Sequence, residues 1–223
     1  MYKRLISVLS FLFFAMACFG QGSGKSVSFN GTSYINLDST YRSLTFPITF
    51  TYWVKRTNTA TGRIFSANNG GSGYSGLHSQ ILPNGTLEVF YGDGGGFTVG
   101  DRRSTYSNTG QAFTNWVHCA YVVTSATSSS IYANGVLMGT YTAGTGSSYY
   151  QNPNGNGAFG RLLTNVGWDY FVGELDDFTI WDKALTATEI RDLVCRKTPG
   201  SSSQLLGYFN FDTQVSGQVF DSS

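Results

Sequence analysis

The sequence predicts an all-β protein, a two-sheet antiparallel sandwich of the jelly-roll type with one short helix after its closing strand. Three observations support this prediction. Charged residues make up only 12% of the 223 residues, whereas aromatic residues reach 16% and glycine occurs 28 times. The apolar runs are short and end at clusters of Gly, Asn and Ser, as strands joined by tight turns do. Some of these connections are Asn-Gly pairs, a strong hairpin signal.

Two Asn-Gly pairs, at Asn84 and Asn134, lie between alternating apolar runs. We expect a hairpin at each, with a type I′ turn, because such a turn needs positive φ at two successive residues. The run ITFTYWVKR alternates in the same way along one predicted strand. Its apolar residues share one face: Ile48, Phe50, Tyr52 and Val54.

The end of the predicted domain has a helix signal and a tail. Thr186 and Glu189 have the spacing of a capping box and begin the helix. The turn-rich segment 196–204 is expected to be a linker. Residues 205–223 contain two strand-like runs, and we expect them to begin a further module of a longer chain. The alternative is that they are edge strands that return to the first sheet.

The first 20 residues are typical of a secretory signal peptide. Met1–Arg4 is basic, and the apolar run that follows is too short for a membrane span. Cleavage after Gly20 would leave Gln21 at the N-terminus, whereas cleavage before Cys18 would leave a cysteine that carries lipid. We therefore expect a secreted or cell-surface protein of bacterial type without a transmembrane span, with a lipid anchor at Cys18 as the alternative.

Charge indicates which classes of partner the protein can bind, and cysteine content bears on the compartment in which it is found. Without Lys3 and Arg4, 12 basic residues face 13 acidic residues, a net charge of −1. This balance gives no electrostatic reason to expect binding to nucleic acid or to an anionic membrane. Cys119 and Cys195 lie beyond the signal peptide, and an oxidising compartment permits a disulfide between them. The alternative is two free thiols, with Cys119 packed as a small core residue.

Several motifs together resemble the laminin-G-like modules of the concanavalin A-like lectin/glucanase superfamily. They are VSFNGTSYINL, ITFTYWVKR, NWVHCAYVV, SIYANGVLMGTY and the closing FVGELDDFTIWDKALTATEI, and the resemblance covers residues 24–195. It implies two antiparallel sheets packed face to face. Roles in this superfamily range from carbohydrate and protein recognition to adhesion, and a shared fold does not choose among them.

The closing strand carries carboxylates that could belong to an active site. Some glycosidases of the superfamily have a Glu-x-Asp-x-(x)-Glu strand, which places nucleophile and acid on one face, about 5 Å apart across the sugar bond. Glu174 and Asp176 match its first two positions. The third position holds Phe178, or Thr179 if the strand bulges, so the acid is absent. We therefore expect that this domain is not an enzyme.

The same region could bind calcium, which prefers several oxygen ligands. Related modules commonly hold a structural calcium near the first strand and the Gly-x-Leu-Asp strand. The candidate ligands here are Asp176 and Asp177 with Asn30 and Asp38. Thr32 and its neighbour stand where an acidic residue often occurs in the family. The alternative is that Asp176 accepts hydrogen bonds from a neighbouring turn, and no cofactor is required in either case.

Aromatic residues in the loops are candidates for sugar binding, because aromatic rings stack on the apolar faces of sugars. Trp168, Tyr149, Tyr150 and Tyr74 lie in or beside Gly/Ser/Asn-rich connections. The alternative is that they cap the ends of the sandwich. His78 and His118 lack zinc-ligand spacing and are expected to pack or to form hydrogen bonds.

Together these features predict a secreted, non-catalytic recognition module of a larger extracellular protein. Its partner would be an extracellular glycan or protein, with adhesion as one outcome of binding. The alternative is a carbohydrate-binding accessory domain of a secreted polysaccharide hydrolase.

Overall fold

The computed structural model describes residues 24–68, 73–164, 167–196, 198, 202–215 and 218–223. The predicted signal peptide, with Cys18, lies outside the described residues, as do residues 197 and 199–201 of the predicted linker. Among the described residues, no helix has the length and hydropathy needed to cross a bilayer.

The described part of the chain forms eighteen strands and one α-helix, with two short 3₁₀ helices at Ser39–Ser43 and Val99–Asp101. Their bounds in chain order are β1 Val27–Asn30, β2 Ile35–Asn36, β3 Ile48–Arg56, β4 Gly62–Ser66, β5 Leu77–Ile81, β6 Leu87–Gly92, β7 Arg102–Tyr106, β8 Val117–Ser125, β9 Ser128–Ala133, β10 Val136–Gly139, β11 Tyr141–Ala143, β12 Ala158–Phe159, β13 Arg161–Thr164, β14 Gly167–Tyr170, β15 Val172–Trp181, α1 Ala187–Cys195, β16 Leu205–Phe209, β17 Gln214–Val215 and β18 Gln218–Val219.

The strands form two seven-stranded antiparallel sheets that pack face to face. Sheet I has the order β1-β15-β3-β8-β9-β10, and β16 also pairs with β15. Sheet II has the order β11-β7-β6-β5-β4-β12-β2. Two hairpins, β13–β14 and β17–β18, stand beside them. This architecture confirms the predicted sandwich.

The core between the sheets is rich in aromatic side chains. The predicted face of β3 is confirmed, because its alternate apolar residues are buried there: Ile48, Phe50, Tyr52 and Val54. Phe50 stacks on Tyr121, with ring centres 4.8 Å apart. The Tyr52 hydroxyl donates a hydrogen bond to the Tyr121 hydroxyl over 2.9 Å, so these two buried hydroxyls are paired.

Both predicted hairpins form, but only one has the predicted turn. Asn134 (φ 48°) and Gly135 (φ 77°) are both left-handed, as a type I′ turn requires. In the β5–β6 connection only Gly85 (φ 81°) is left-handed, and its N–H donates to the Leu82 carbonyl over 2.9 Å. The type I′ prediction is therefore wrong at Asn84, where one glycine completes a longer turn.

Helix α1 begins as predicted and covers part of sheet I. The Thr186 hydroxyl accepts a hydrogen bond from the Glu189 N–H, and the Glu189 carboxylate accepts one from the Thr186 N–H. Ile190 is buried against the outer face of sheet I. The cluster that it joins contains Ala120, Val122, Trp181, Leu185, Leu205 and Tyr208.

Two predictions about the rest of the chain are wrong. Residues 205–209 do not begin a further module, because β16 pairs with β15 in sheet I, with Phe178 opposite Phe209. Phe209 and Phe211 are buried in the core between the sheets, so the alternative that these are edge strands is the correct one for β16. The Cys119–Cys195 disulfide is not formed, because Cys119 is a free thiol that is buried in the core.

Phe209 tests whether this strand belongs to the domain. We expect Phe209→Ala to lower the free energy of unfolding by about 3–5 kcal/mol, because it leaves a cavity in the core. Leu206 lies on the same strand but is 39% exposed. Leu206→Ala should therefore change the free energy of unfolding by no more than about 0.5 kcal/mol. Urea denaturation checks both values, and equal small effects would mean that β16 is not part of this core.

Candidate functional site

A row of polar side chains crosses the outer face of sheet II. Arg63 on β4 pairs with Gln80 on β5, Gln80 pairs with Glu88 on β6, and Glu88 pairs with Tyr106 on β7. Directly opposed residues of antiparallel strands point to the same side. Their strand neighbours, such as Ile81 and the residues beside Glu88, are buried in the core. We call Arg63, Gln80, Glu88 and Tyr106 the polar row.

A second line of residues runs parallel to the polar row. It consists of Ser66, His78, Phe90 and Ser104. The His78 ring stacks on Phe90, with ring centres 4.9 Å apart. The Arg102 guanidinium carbon lies 5.6 Å from the Phe90 ring centre and 5.0 Å from that of Tyr74. These contacts give His78 a defined orientation.

The protonation state of His78 follows from its contacts. Its Nε2 lies 2.6 Å from the Ser75 carbonyl oxygen, which can only accept, so Nε2 carries the proton. Burial lowers the pKa of His78 to about 4, so the ring is neutral near pH 7. Nδ1 of a neutral ring protonated at Nε2 is a hydrogen-bond acceptor, and it has no partner here.

Gln80 and Glu88 add two more acceptors without partners. The Gln80 Nε2 group donates a hydrogen bond to Glu88 Oε2. This bond leaves Gln80 Oε1 and Glu88 Oε1, and both are buried without a hydrogen-bond partner. The two residues are only 5% and 1% exposed, and His78 only 3%. A buried polar atom without a partner costs about 1–3 kcal/mol.

The residues that carry these three acceptors are close neighbours. His78 and Gln80 are two residues apart on β5, a rise of about 7 Å, and Gln80 faces Glu88 across about 5 Å. Every unpaired atom of the group accepts hydrogen bonds, so the missing partner is a donor. The arrangement can bind hydroxyl or amine groups that are spaced a few ångströms apart.

A stack of one cation between two aromatic rings adjoins the polar row. The Arg161 guanidinium carbon lies 3.3 Å from the Tyr34 ring centre and 4.0 Å from the Trp168 ring centre. Tyr34 is 41% exposed and Trp168 is 40% exposed. The neighbour of Trp168, Asp169, accepts a hydrogen bond from Arg63 Nη2 over 2.8 Å. We call Tyr34, Arg161 and Trp168 the aromatic stack, and this ion pair joins it to the polar row.

The other predicted sugar-binding aromatics lie elsewhere on sheet II. The Tyr150 backbone is hydrogen bonded to Gly76 and Gly92 at one end of β5 and β6, and its side chain is exposed. Tyr74 packs edge-on against Phe90. Tyr149 packs against aromatic rings at the margin of the core. Tyr74, Tyr149 and Tyr150 therefore belong to one end of the sheet, and Trp168 belongs to the β13–β14 hairpin.

The carboxylates of the closing strand form hydrogen bonds within the domain. Glu174 accepts from Lys55 Nζ over 3.4 Å and from the Ser26 hydroxyl over 3.0 Å. Asp176 is buried, and its Oδ1 accepts from the Asp177 N–H over 2.8 Å. At the third position of the glycosidase pattern, Phe178 lies in the core.

Thr179, the other choice for that position, shares a 2.7 Å hydrogen bond with Thr51. Neither register therefore supplies a second catalytic carboxylate at this position.

The predicted calcium ligands do not all come together. Asp177 accepts from the Tyr208 hydroxyl over 2.8 Å. Asn30 accepts from the backbone of its own turn, and it pairs with Val172, about 13 Å along β15 from Asp176. Asp38 caps a 3₁₀ helix that follows β2 of sheet II.

Within the described ranges no group of three or more His, Cys, Asp or Glu side chains could hold a metal ion. Calcium binding stays a prediction that the structure does not test.

The polar row was not among the sequence predictions, although a signal for it exists. The strands LHSQI and LEVFY alternate polar and apolar residues around Asn84, so the hairpin places Gln80 opposite Glu88. The position of Arg63 could not be found in this way, because a bulge follows it. Ile64 and Phe65 are both in the core.

The chain is similar to known proteins in sequence family and in fold. A family model named Laminin_G_3 and described as Concanavalin A-like lectin/glucanases superfamily matches residues 29–191. No curated protein sequence matches the chain.

Three solved structures illustrate the similarity in fold. A putative carbohydrate binding protein from Bacteroides ovatus has a TM-score of 0.61 and 17% identity, over 86% of this chain and 54% of that one. The Ruminococcus gnavus IT-sialidase CBM40 bound to α2,3 sialyllactose has a TM-score of 0.60 and 16% identity, over 76% and 96%. The third structure is Domain 4 of AbnA, a GH43 extracellular arabinanase from Geobacillus stearothermophilus, in complex with arabinotriose. It has a TM-score of 0.56 and 20% identity, over 79% of each chain.

The buried His78 predicts a loss of stability in acid. Its folded pKa of about 4 lies below the ordinary value of about 6.5, so the unfolded chain binds the proton first as the pH falls. The free energy of unfolding should be highest above pH 6.5 and fall towards pH 4, by up to about 3 kcal/mol from this residue. Urea denaturation at several pH values should show a smaller fall in His78→Gln than in the wild type. Parallel pH profiles would contradict the assignment.

Proposed function

Because the chain belongs to the concanavalin A-like lectin/glucanase superfamily, we propose that it is a non-catalytic recognition domain that binds a glycan on the outer face of sheet II. The proposal rests on one observation. The three buried acceptors, His78 Nδ1, Gln80 Oε1 and Glu88 Oε1, lack hydrogen-bond donors. A sugar presents several hydroxyl donors within a few ångströms of one another, and binding would remove the cost of leaving these acceptors unpaired.

The chemistry of the acceptors favours a neutral sugar at this point. A phosphate or carboxylate would bring further acceptors against Glu88 and Gln80, which is repulsive. A hydroxyl can rotate its proton towards each acceptor in turn. Arg63 and Tyr106 are half-buried at the two ends of the row. Rotation of Tyr106, whose side chain interacts with Glu88, would admit the ligand, while Arg63 stays paired with Asp169.

The aromatic stack supplies a second contact in the proposed complex. Arg161 covers one face of the Trp168 indole, so the rest of the exposed ring is available to the apolar face of a sugar. The ion pair between Asp169 and Arg63 keeps this ring beside the polar row. A ligand longer than one sugar would contact both parts.

The similar structures support a binding role in general terms. They include a putative carbohydrate binding protein and a domain of an arabinanase in complex with arabinotriose. Their identities to this chain are at most 20%, so they support the fold and not a particular sugar. A second candidate function is an accessory domain of a secreted hydrolase, which the arabinanase domain and the sialidase module favour.

Glu88→Gln tests the proposed site. The change keeps the shape of the side chain but replaces one acceptor with a donor. We expect at least a tenfold loss of affinity, or about 1.4 kcal/mol, for the glycans that the wild type binds on an array. Calorimetry with the best glycan measures this loss. An anion-binding site would instead gain affinity, because a negative charge is removed.

Control variants separate binding from folding. Gln80→Leu should weaken the same glycans, whereas Val136→Ala should not, because Val136 is an exposed residue of sheet I. Thermal melts of all variants check the fold. Unchanged affinity in both Glu88→Gln and Gln80→Leu would exclude this face as the binding site.

The absence of catalysis is a separate part of the proposal. Glu174 is paired with Lys55, and the third position of the glycosidase pattern is occupied by core or hydroxyl residues. We expect no release of reducing sugar from β-glucans, galactans or xylans. Hydrolysis that disappears in Glu174→Gln would show that the domain is an enzyme.

A further inference from the structure

Within the described residues, helix α1 covers one half of the outer face of sheet I, and no helix lies over the other half. Helix α1 and the segment around Leu205 cover the half that contains Trp181 and Val122. The other half carries Trp53 opposite Asp176, with Lys55 opposite Glu174. These four side chains point outwards, because their neighbours on both strands are core residues. Trp53 is only 9% exposed and Asp176 only 4%, so only the edges of these two side chains reach the surface.

A pocket of about 310 Å³ opens over this half. Its walls include two of the four tryptophans of the chain, Trp53 and Trp116, and its polar groups come from Lys25, Ser26, Glu174 and Asp176. His118 packs edge-on against Trp53, with ring centres 5.3 Å apart, and holds the indole in place. Burial lowers the pKa of His118 to about 3, so this neighbour is uncharged near pH 7.

The polar groups of the pocket indicate the chemistry of its ligand. Glu174 is paired with Lys55, which lies beside the pocket, and Lys25 of the lining offsets the charge of Asp176, so an ion gains little net attraction. Each Glu174 oxygen accepts one hydrogen bond, from Lys55 or from Ser26, and can accept another. Charged donors and acceptors beside flat apolar rings are suited to a ring that carries hydroxyl groups.

We propose that this pocket binds one uncharged sugar ring against Trp116 and the accessible edge of Trp53, with Glu174 accepting hydrogen bonds from its hydroxyls. Its volume is at the lower end of the range for small-molecule sites, which fits a single ring. The pocket is on the opposite side of the sandwich from the polar row. It is therefore a second site, independent of the first, and one domain can connect two glycan chains.

Saturation-transfer NMR tests this site with methyl glycosides of arabinose, galactose, glucose and N-acetylglucosamine. The experiment uses the Glu88→Gln background, in which the site on sheet II is weakened. We expect at least one glycoside to bind, and its affinity to fall at least tenfold when Trp116→Ala or Glu174→Gln is added. Leu137→Ala is the control, because it removes an exposed apolar side chain of β10 that belongs to neither site and should leave this binding unchanged.

Folding and site identity are checked in the same series. If Trp116→Ala lowers the melting temperature, Trp116→Phe and Glu174→Gln decide the outcome, since both keep most of the packing. The proposal is overturned if no glycoside binds in the Glu88→Gln background, or if Trp116→Phe and Glu174→Gln both bind as tightly as that background. Loss of binding in Glu88→Gln alone would support the site on sheet II and exclude this one.

Discussion

The burial of one face of each strand between the two sheets is the constraint on which the rest of this structure depends. Residues of a strand alternate between its two faces, so each core residue also determines which neighbours point outwards. Tyr52 is buried between the sheets, and Trp53 therefore points out of sheet I. Ser79 contacts Tyr52 in the interior, so His78 and Gln80 point out of sheet II. Both proposed binding surfaces are consequences of core packing.

The fold could be predicted because its signals are local. Alternation within β3, the Asn-Gly pair at Asn134 and the capping box at Thr186 each depend on a few neighbouring residues. The polar row depends on the register of four strands, and the bulge after Arg63 shifts that register where the sequence shows no sign of it. The sequence therefore contains the residues of the site but does not show that they lie close together in the fold.

The carboxylates of the closing strand show why a local motif can mislead. β1 pairs with the first part of β15, up to Leu175, and β16 pairs with its last part, from Phe178. Asp177 lies between the two, with a left-handed backbone (φ 45°), and accepts a hydrogen bond from Tyr208 of β16. It thus helps to hold the strand that the sequence predicted to be part of another module. The spacing suggested a functional site, but the hydrogen bond of Asp177 joins the edge strand β16 to β15.

The family and the fold do not determine which ligand is bound, because this depends on the residues at the surface. The superfamily includes both lectins and glucanases, and a sandwich can carry either activity on the same scaffold. A catalytic site needs two carboxylates at a set separation, whereas recognition needs only hydrogen bonds that a ligand completes. In the closing strand of this chain the third position of the glycosidase pattern holds Phe178 or Thr179, and sheet II has acceptors whose hydrogen bonds are incomplete. A ligand that donates hydrogen bonds to those acceptors would recover the free energy that their burial without partners costs, and the proposal that the outer face of sheet II binds a ligand rests on this.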